Sequence, residues 1–196
     1  QLFATGGFYQ PQRAIGSVLT RENTVVQRFG LTVEQRFPPQ DIFLLNTALK
    51  RVVSNGTASS LANYLPDSVQ VAGKTGTTDE LRDSWFAGFT GNRLAVVWIG
   101  RDDNKPTVFT GASGALVVWG KIMQALHPQP LELTEPEGIE WARVNAGSYG
   151  PSAGDSRDNV VLPFVAGTVP AGATSGDGAQ ERKSPGILNT IRNWFR

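Results

Sequence analysis

A tetrapeptide in the first half of the chain has side chains suited to holding a carboxylate beside a reacting carbonyl. Residues 74–77 are Lys-Thr-Gly-Thr. In a strand, alternation places Lys74 on one face and Thr75 and Thr77 on the other. The ammonium supplies positive charge, the hydroxyls can bond a carboxylate, and Gly76 lets a substrate backbone approach closely. A free edge N–H of Thr77 would help to stabilise a tetrahedral oxyanion.

The same Gly-Lys-Thr letters also occur in phosphate-binding loops. That loop requires Gly-x-x-x-x-Gly-Lys-[Ser/Thr] between a strand and a helix. Here Ser68 stands five residues before Gly73, and the residues that follow predict a strand. The sequence therefore argues against nucleotide binding.

The residues around the tetrapeptide predict an antiparallel sheet. Apolar residues in alternation or in short runs predict strands at 69–75, 84–90 and 94–100. Gly91-Asn92 supplies a two-residue hairpin turn between the last two strands. Upstream, residues 13–29 predict a separate hairpin with a four-residue polar turn.

Two segments have apolar residues at helical spacing. The first begins near Asp41 and runs for about 14 residues, and Asn-Gly at 55–56 predicts a left-handed C-cap. The second covers 115–126 and ends at His127, which precedes a proline. A helix with one apolar face packs that face on a sheet, so the fold class predicted is α+β.

The C-terminal part of the chain predicts less regular structure. Residues 128–165 are rich in proline and glycine and predict a small appendage with short strands at 139–144 and 159–165. Residues 166–186 have almost no large apolar side chains and predict a flexible linker. Residues 187–196 predict an amphipathic terminal helix whose aromatic and basic faces suit a membrane interface or a protein groove, or which simply frays.

Composition excludes several classes of function. The 196 residues include 18 basic and 17 acidic side chains, for a net charge of +1, which gives no reason to expect nucleic acid as a partner. There is no cysteine, which excludes disulfides, thiolate metal sites and a thiol nucleophile. No apolar run approaches the roughly 18 residues that cross a bilayer.

Together with the tetrapeptide, five further segments resemble the third-motif region of the class A (bifunctional) penicillin-binding proteins. The resemblance covers residues 1–127 almost continuously. The matching segments are 6–15, 52–57 (VVSNGT), 83–88 (DSWFAG), 98–102 (WIGRD) and 110–115 (TGASGA).

The resemblance implies part of a transpeptidase fold of the penicillin-binding-protein and serine β-lactamase type, at residues 1–127. It implies a serine acyl transferase that attacks the D-Ala-D-Ala end of a peptidoglycan stem peptide and passes the acyl group to an amine of a neighbouring stem. β-Lactams acylate the same serine. By this likeness Lys74, Thr75, Gly76 and Thr77 bind the donor carboxylate, and the N–H of Thr77 is half of the oxyanion hole. No cofactor or metal is implied, and the expected location is the periplasmic face of the bacterial inner membrane.

The chain departs from the family in lacking two motifs. Such a site needs Ser-x-x-Lys, with the nucleophile and its base, and Ser-x-Asn. No serine in the chain begins either motif, and the nearest string, at 47–50, lies in a predicted helix where Lys50 is a solvated charge. We expect both motifs, a glycosyltransferase domain and a membrane anchor to precede Gln1, and this chain alone to be inactive. The expected partners are the remainder of its own transpeptidase domain, stem peptides, β-lactams, and outer-membrane or periplasmic cell-wall regulators.

Two other functions stay open at this point. A non-catalytic module could dock cell-wall regulators, and a serine β-lactamase fragment would share the Lys-Thr-Gly strand. The long C-terminal extension argues against the β-lactamase, because those enzymes usually end with the last helix.

Several other residues are better explained by structure than by chemistry. Asp102-Asp103 follows a strand and predicts a turn rather than an acid–base pair. His127, the single histidine, predicts a helix end. Four aromatic residues predict a packed core between strands, although one near a strand end could line the acyl groove: Trp85, Phe86, Phe89 and Trp98.

Overall fold

The computed structural model describes residues 1–30, 32–148, 150 and 159–176. It has two helices and ten strands within these residues, arranged in antiparallel sheets, which confirms the α+β class. The elements are β1 (Phe8–Tyr9), β2 (Ser17–Leu19), β3 (Val25–Arg28), β4 (Glu34–Gln35), α1 (Pro39–Asn55), β5 (Ala72–Thr77), β6 (Ser84–Phe89), β7 (Leu94–Ile99), α2 (Ala115–Leu126), β8 (Ile139–Asn145), β9 (Asn159–Val165) and β10 (Thr174–Ser175).

The central sheet has three antiparallel strands in the order β5-β6-β7. β5 pairs with β6 from Ala72 opposite Phe89 to Thr77 opposite Ser84. A tight turn joins β6 to β7, as the sequence predicts, and the N–H of Thr90 donates to the Arg93 carbonyl at 2.8 Å. Among the described residues no strand pairs with the other side of β5, so the tetrapeptide lies on an edge strand.

Helix α2 covers one face of this sheet. Phe86 and Trp119 are both fully buried, and their rings meet edge to face with centroids 5.1 Å apart. Among the described residues, neither helix combines the length and the apolar character needed to cross a bilayer. The main apolar cluster, which we call the main core, consists of Val52, Ala58, Leu61, Leu65, Val71, Phe86, Ala115, Leu116, Trp119 and Met123.

Helix α1 begins and ends differently from the prediction. It starts at Pro39, two residues before Asp41, because proline is tolerated in the first turn, where an N–H has no helical partner. The predicted left-handed cap at its end is wrong, since Gly56 is extended, with φ −105° and ψ −152°. Glycine is required there by a close approach: a Cβ at position 56 would lie 2.7 Å from the Val52 carbonyl oxygen.

The predicted appendage forms a second antiparallel sheet, in the order β10-β8-β9. It packs against α1, where the Arg51 guanidinium donates to the Val161 carbonyl. The rings of Phe43 and Trp141 also meet edge to face, with centroids 6.2 Å apart. The domain boundary at residue 127 stays a prediction.

The predicted linker at 166–186 is described only as far as residue 176, and there the chain differs from the prediction. Thr174 pairs with Arg143 in β8, and the N–H of Gly176 donates to the Trp141 carbonyl at 2.9 Å. Backbone hydrogen bonds to the edge of β8 thus order a segment that lacks large apolar side chains. The rest of the linker and the predicted terminal helix at 187–196 lie outside the described residues.

The predicted N-terminal hairpin is confirmed as β2 and β3, although both strands are shorter than predicted. The N–H of Thr20 donates to the Thr24 carbonyl at 2.8 Å across the turn, and the pairing shifts register between Val18 and Leu19. Every residue of the two strands is exposed in this structure.

Candidate active site

Strand alternation places the tetrapeptide side chains on two faces of the sheet. Thr75 stands opposite Phe86 and Thr77 opposite Ser84, on the face that carries α2. Lys74 lies on the other face. After Thr77 the chain makes one short 3-10 turn and enters β6, an order that a phosphate-binding strand–loop–helix does not have.

The backbone of β5 offers hydrogen-bonding groups at its open edge. Just beyond the strand, the N–H of Thr78 donates to the Asp83 carbonyl at 3.2 Å, toward β6. Because successive residues of an antiparallel strand direct their N–H and C=O to opposite sides, those of Thr77 and Thr75 are directed to the open edge. The N–H of Thr77 therefore faces the open edge of the sheet.

Lys74 brings a cation to this edge. Its Nζ donates to the Thr75 carbonyl at 2.8 Å. The side chain is half-buried, and that burial lowers the pKa of Lys74 below the ordinary value of 10.5. The ammonium consequently lies beside the Thr75 backbone rather than reaching freely into solvent.

Each threonine hydroxyl is held by one partner from another part of the chain. The Thr77 Oγ1 accepts the N–H of Gly111 at 2.8 Å. The Thr75 Oγ1 lies 2.8 Å from the Thr57 Oγ1. Sequence reasoning did not assign Thr57 or Gly111 to the site. The sequence points to Thr57 and Gly111 only because they belong to segments 52–57 and 110–115, in which the chain resembles the family.

A hydrogen-bonded loop follows directly after Thr77. The Asp83 carboxylate accepts the indole N–H of Trp98 at 2.8 Å and the hydroxyl proton of Thr78 at 3.1 Å. The N–H of Asp83 returns a bond to the Thr78 Oγ1 at 2.8 Å. Within the loop Glu80 and Leu81 both have φ of 57°, which is unusual for residues with a side chain. These bonds tie the loop to the end of β5 and, through Trp98, to β7.

The structure confirms the predictions that Asp102-Asp103 lies in a turn and that His127 ends a helix. Asp103 lies in a turn, where the Arg101 guanidinium donates to its two carboxylate oxygens at 2.9 Å each. That hydrogen bond, with a smaller contribution from Lys105, holds the pKa of Asp103 well below its usual range. His127 ends α2 in the left-handed conformation, with φ 46° and ψ 63°.

The prediction of a uniform aromatic core is wrong for two of the four residues. Phe86 and Phe89 are buried, but Trp85 and Trp98 are 42% and 48% exposed. Alternation directs Trp85 and Trp98 to the face opposite α2, where their rings contact each other at a centroid distance of 6.0 Å. Phe89 lies on that same face but is buried, because it packs in a cluster with Leu49 of α1 and Leu131.

Comparison of the sequence with known proteins gives one family. The chain matches the family model described as the penicillin-binding protein transpeptidase domain over residues 2–122. It is 42% identical over 139 residues to penicillin-binding protein 1B of Vibrio cholerae, which covers 71% of this chain and 18% of that protein. It is 37% identical over 139 residues to penicillin-binding protein 1B of Escherichia coli, and this match covers 71% of this chain and 16% of that protein. The chain thus spans less than a fifth of the length of these relatives.

Comparison of the structure points to the same fold. The chain superposes on the crystal structure of penicillin-binding protein 1A from Haemophilus influenzae with a TM-score of 0.73 and 22% identity. The superposition covers 87% of this chain and 31% of that one. At this identity the likeness concerns the fold, which is the partial transpeptidase fold predicted from the sequence.

Proposed function

The chain belongs to the penicillin-binding protein transpeptidase domain family, and on this premise we propose that it forms the Lys-Thr-Gly half of a serine-type D,D-transpeptidase. The family predicted from the sequence is confirmed. In this proposal the whole protein cross-links peptidoglycan and is inhibited by β-lactams. This chain supplies substrate binding, and the rest of the same domain supplies the nucleophile.

The open edge of β5 carries the proposal. The strand carries the Lys74 ammonium, whose Nζ bonds the Thr75 carbonyl, the Thr75 and Thr77 hydroxyls, and an outward N–H at Thr77. A peptide that ends in a carboxylate needs these groups in this order: a cation and hydroxyls for the carboxylate, then an N–H for the carbonyl of the bond to be broken. Paired antiparallel to β5, such a peptide would place its last residue beside Lys74 and its scissile carbonyl beside Thr77.

In the proposed reaction the serine oxygen of the missing part adds to this carbonyl. The negative charge that develops on the carbonyl oxygen is stabilised by the N–H of Thr77, which needs no reorganisation because the loop 78–83 holds the strand end. The C–N bond then breaks, the terminal D-Ala leaves as an amine after gaining a proton, and an acyl ester remains on the serine. An amine of a second stem peptide attacks that ester, which forms the cross-link and frees the serine.

Further parts of the proposal concern location and partners. Because the substrate is a cell-wall peptide, we infer that the protein acts outside the cytoplasm, at the periplasmic face of the inner membrane. The relatives named penicillin-binding protein support β-lactams and stem peptides as ligands. Docking of cell-wall regulators stays a prediction.

Labelling with a fluorescent penicillin tests the proposal. The full-length protein that contains this chain should be labelled on a serine outside residues 1–196, and the isolated chain should stay unlabelled. Lys74→Ala should slow labelling roughly 10- to 100-fold, the effect of losing hydrogen bonds to a charged group. Lys121→Ala, which removes an exposed lysine from α2, is the matched control and should label at the normal rate. Covalent label on residues 1–196 would refute the assignment.

A further inference from the structure

The turn after α1 fixes the position of Thr57. The N–H groups of Gly56 and Ala58, on either side of it, both donate to the Val52 carbonyl at 3.1 Å. Ala58 is fully buried and Val52 is 1% exposed, and both belong to the main core. Although Thr57 itself is exposed, its backbone is therefore anchored by buried neighbours on each side.

The contact between Thr57 and Thr75 has two possible directions. The two Oγ1 atoms lie 2.8 Å apart, and either hydroxyl can be the donor. A hydroxyl has a single proton, so whichever residue donates across this contact has no proton left for a third group. While the two hydroxyls stay in contact, Thr75 can donate its proton to a carboxylate oxygen only if it accepts from Thr57. If Thr75 donated to Thr57 instead, it would present lone pairs to the carboxylate.

Thr77 shows the arrangement that suits a carboxylate. Its Oγ1 accepts from the Gly111 N–H at 2.8 Å, and a backbone N–H can only donate. The hydroxyl proton of Thr77 is thus left for a ligand whatever else is bound. Thr75 reaches the same state only if Thr57 donates to it.

We propose that Thr57 is a positioning residue, which donates its hydroxyl proton to the Thr75 Oγ1 and thereby directs the Thr75 proton to the carboxylate of the bound substrate. The inference rests on the proposed function, because it takes a carboxylate to be the group held at Thr75. It adds to that function a residue 17 positions upstream of Lys74, contributed by the turn after α1. It also assigns that residue to one feature of the substrate, the terminal carboxylate.

Selective removal of the Thr57 hydroxyl tests the inference in the full-length protein. Thr57→Val keeps the shape of the side chain and removes the hydroxyl, Thr57→Ala removes it without branching, and Thr57→Ser retains it. The measured quantity is the second-order rate of serine acylation, followed by mass spectrometry, with benzylpenicillin and with its methyl ester, which lacks the carboxylate. The dependence of the acylation rate on probe concentration separates the half-saturating concentration from the rate constant of the acylation step.

Both variants without the hydroxyl should react with benzylpenicillin roughly threefold to tenfold more slowly, about the worth of one net hydrogen bond, because the Thr75 hydroxyl loses the donor that directs its proton to the carboxylate. The half-saturating concentration of benzylpenicillin should rise, and the rate constant of the acylation step should stay unchanged. The rate with the methyl ester should stay unchanged, and Thr57→Ser should restore the preference for the carboxylate.

Equal slowing with both probes would mean that Thr57 only supports the fold, and the inference would be overturned. Wild-type rates with both probes in Thr57→Val and Thr57→Ala would overturn it as well. Failure of the proposed function gives a different result, because the wild-type protein would then not be acylated by benzylpenicillin at all.

Discussion

Gly111 packs against the strand that carries the candidate site, and replacing it with alanine should lower both the free energy of unfolding and the rate of acylation. Gly111 is buried, and its N–H bonds the Thr77 Oγ1 at 2.8 Å. The residue lies directly against the backbone of β5 and β6. A methyl group at this position therefore meets the strand that carries the tetrapeptide.

The size of the effect follows from the distances. A Cβ at position 111 would lie 2.6 Å from the Gly76 carbonyl oxygen, 2.8 Å from the Trp85 carbonyl oxygen and 2.9 Å from the Gly76 nitrogen. These three atoms are backbone and cannot move aside as a side chain would, so the segment at 110–114 must shift by about 1 Å to reach ordinary contact. Overpacking of this kind lowers the free energy of unfolding by about 1–3 kcal/mol. A displacement of this size at a site slows reaction by up to roughly 100-fold.

The assay is penicillin acylation of the full-length protein, together with urea unfolding followed by loss of that acylation. Gly16→Ala is the matched control, because a Cβ at Gly16 meets no atom within 4 Å and the residue is exposed. Gly111→Ala should shift the urea midpoint and lower the acylation rate, whereas Gly16→Ala should change neither. If Gly111→Ala unfolds and reacts like the wild type, the contact between Gly111 and β5 has no role in the site.

Two further predictions concern the main core and Lys74. Phe86→Ala leaves a cavity at a fully buried position against Trp119 and should lower the free energy of unfolding by about 3–5 kcal/mol. Val108→Ala is the control, because Val108 is 81% exposed, and it should lower the free energy of unfolding by less than about 0.5 kcal/mol. Equal urea midpoints for these two variants would contradict the assigned core. For Lys74, burial lowers the pKa in the folded state below 10.5, so the folded protein releases this proton at a lower pH than the unfolded chain. At pH values between the folded-state pKa of Lys74 and 10.5, the unfolded chain binds more protons than the folded protein. The free energy of unfolding of the wild type, relative to that of Lys74→Met, should therefore rise with pH in this range. Parallel pH profiles of urea unfolding for the two proteins would contradict this.

Much of the local structure could be predicted because it depends on neighbouring residues. Apolar spacing placed β6, β7 and α2 close to their observed bounds, since side-chain periodicity reports which face of an element is covered. The same alternation separates Lys74 from Thr75 and Thr77 in the strand. The segment VVSNGT carries part of the family resemblance, but nothing in it indicates that Thr57 contacts Thr75.

The two errors have different origins. Trp85 and Trp98 are large apolar residues in strands, yet whether such a side chain is buried depends on which distant residues cover its part of the sheet. Phe89 lies on the same face as Trp85 and is buried, because Leu49 and Leu131 pack against it. Gly56 looked like a left-handed cap, but its requirement is a close approach to Val52.

The amino-acid sequence alone determined the family, the α+β class and the position of the Lys-Thr-Gly-Thr strand, because strand period and motif spacing are written in consecutive residues. Only the tertiary structure brought Thr57 and Gly111, 18 and 34 residues away from their partners, to the two threonine hydroxyls. Contacts of that kind depend on how helices and loops pack on the sheet. That packing reflects shape complementarity over the whole core, which no local pattern encodes.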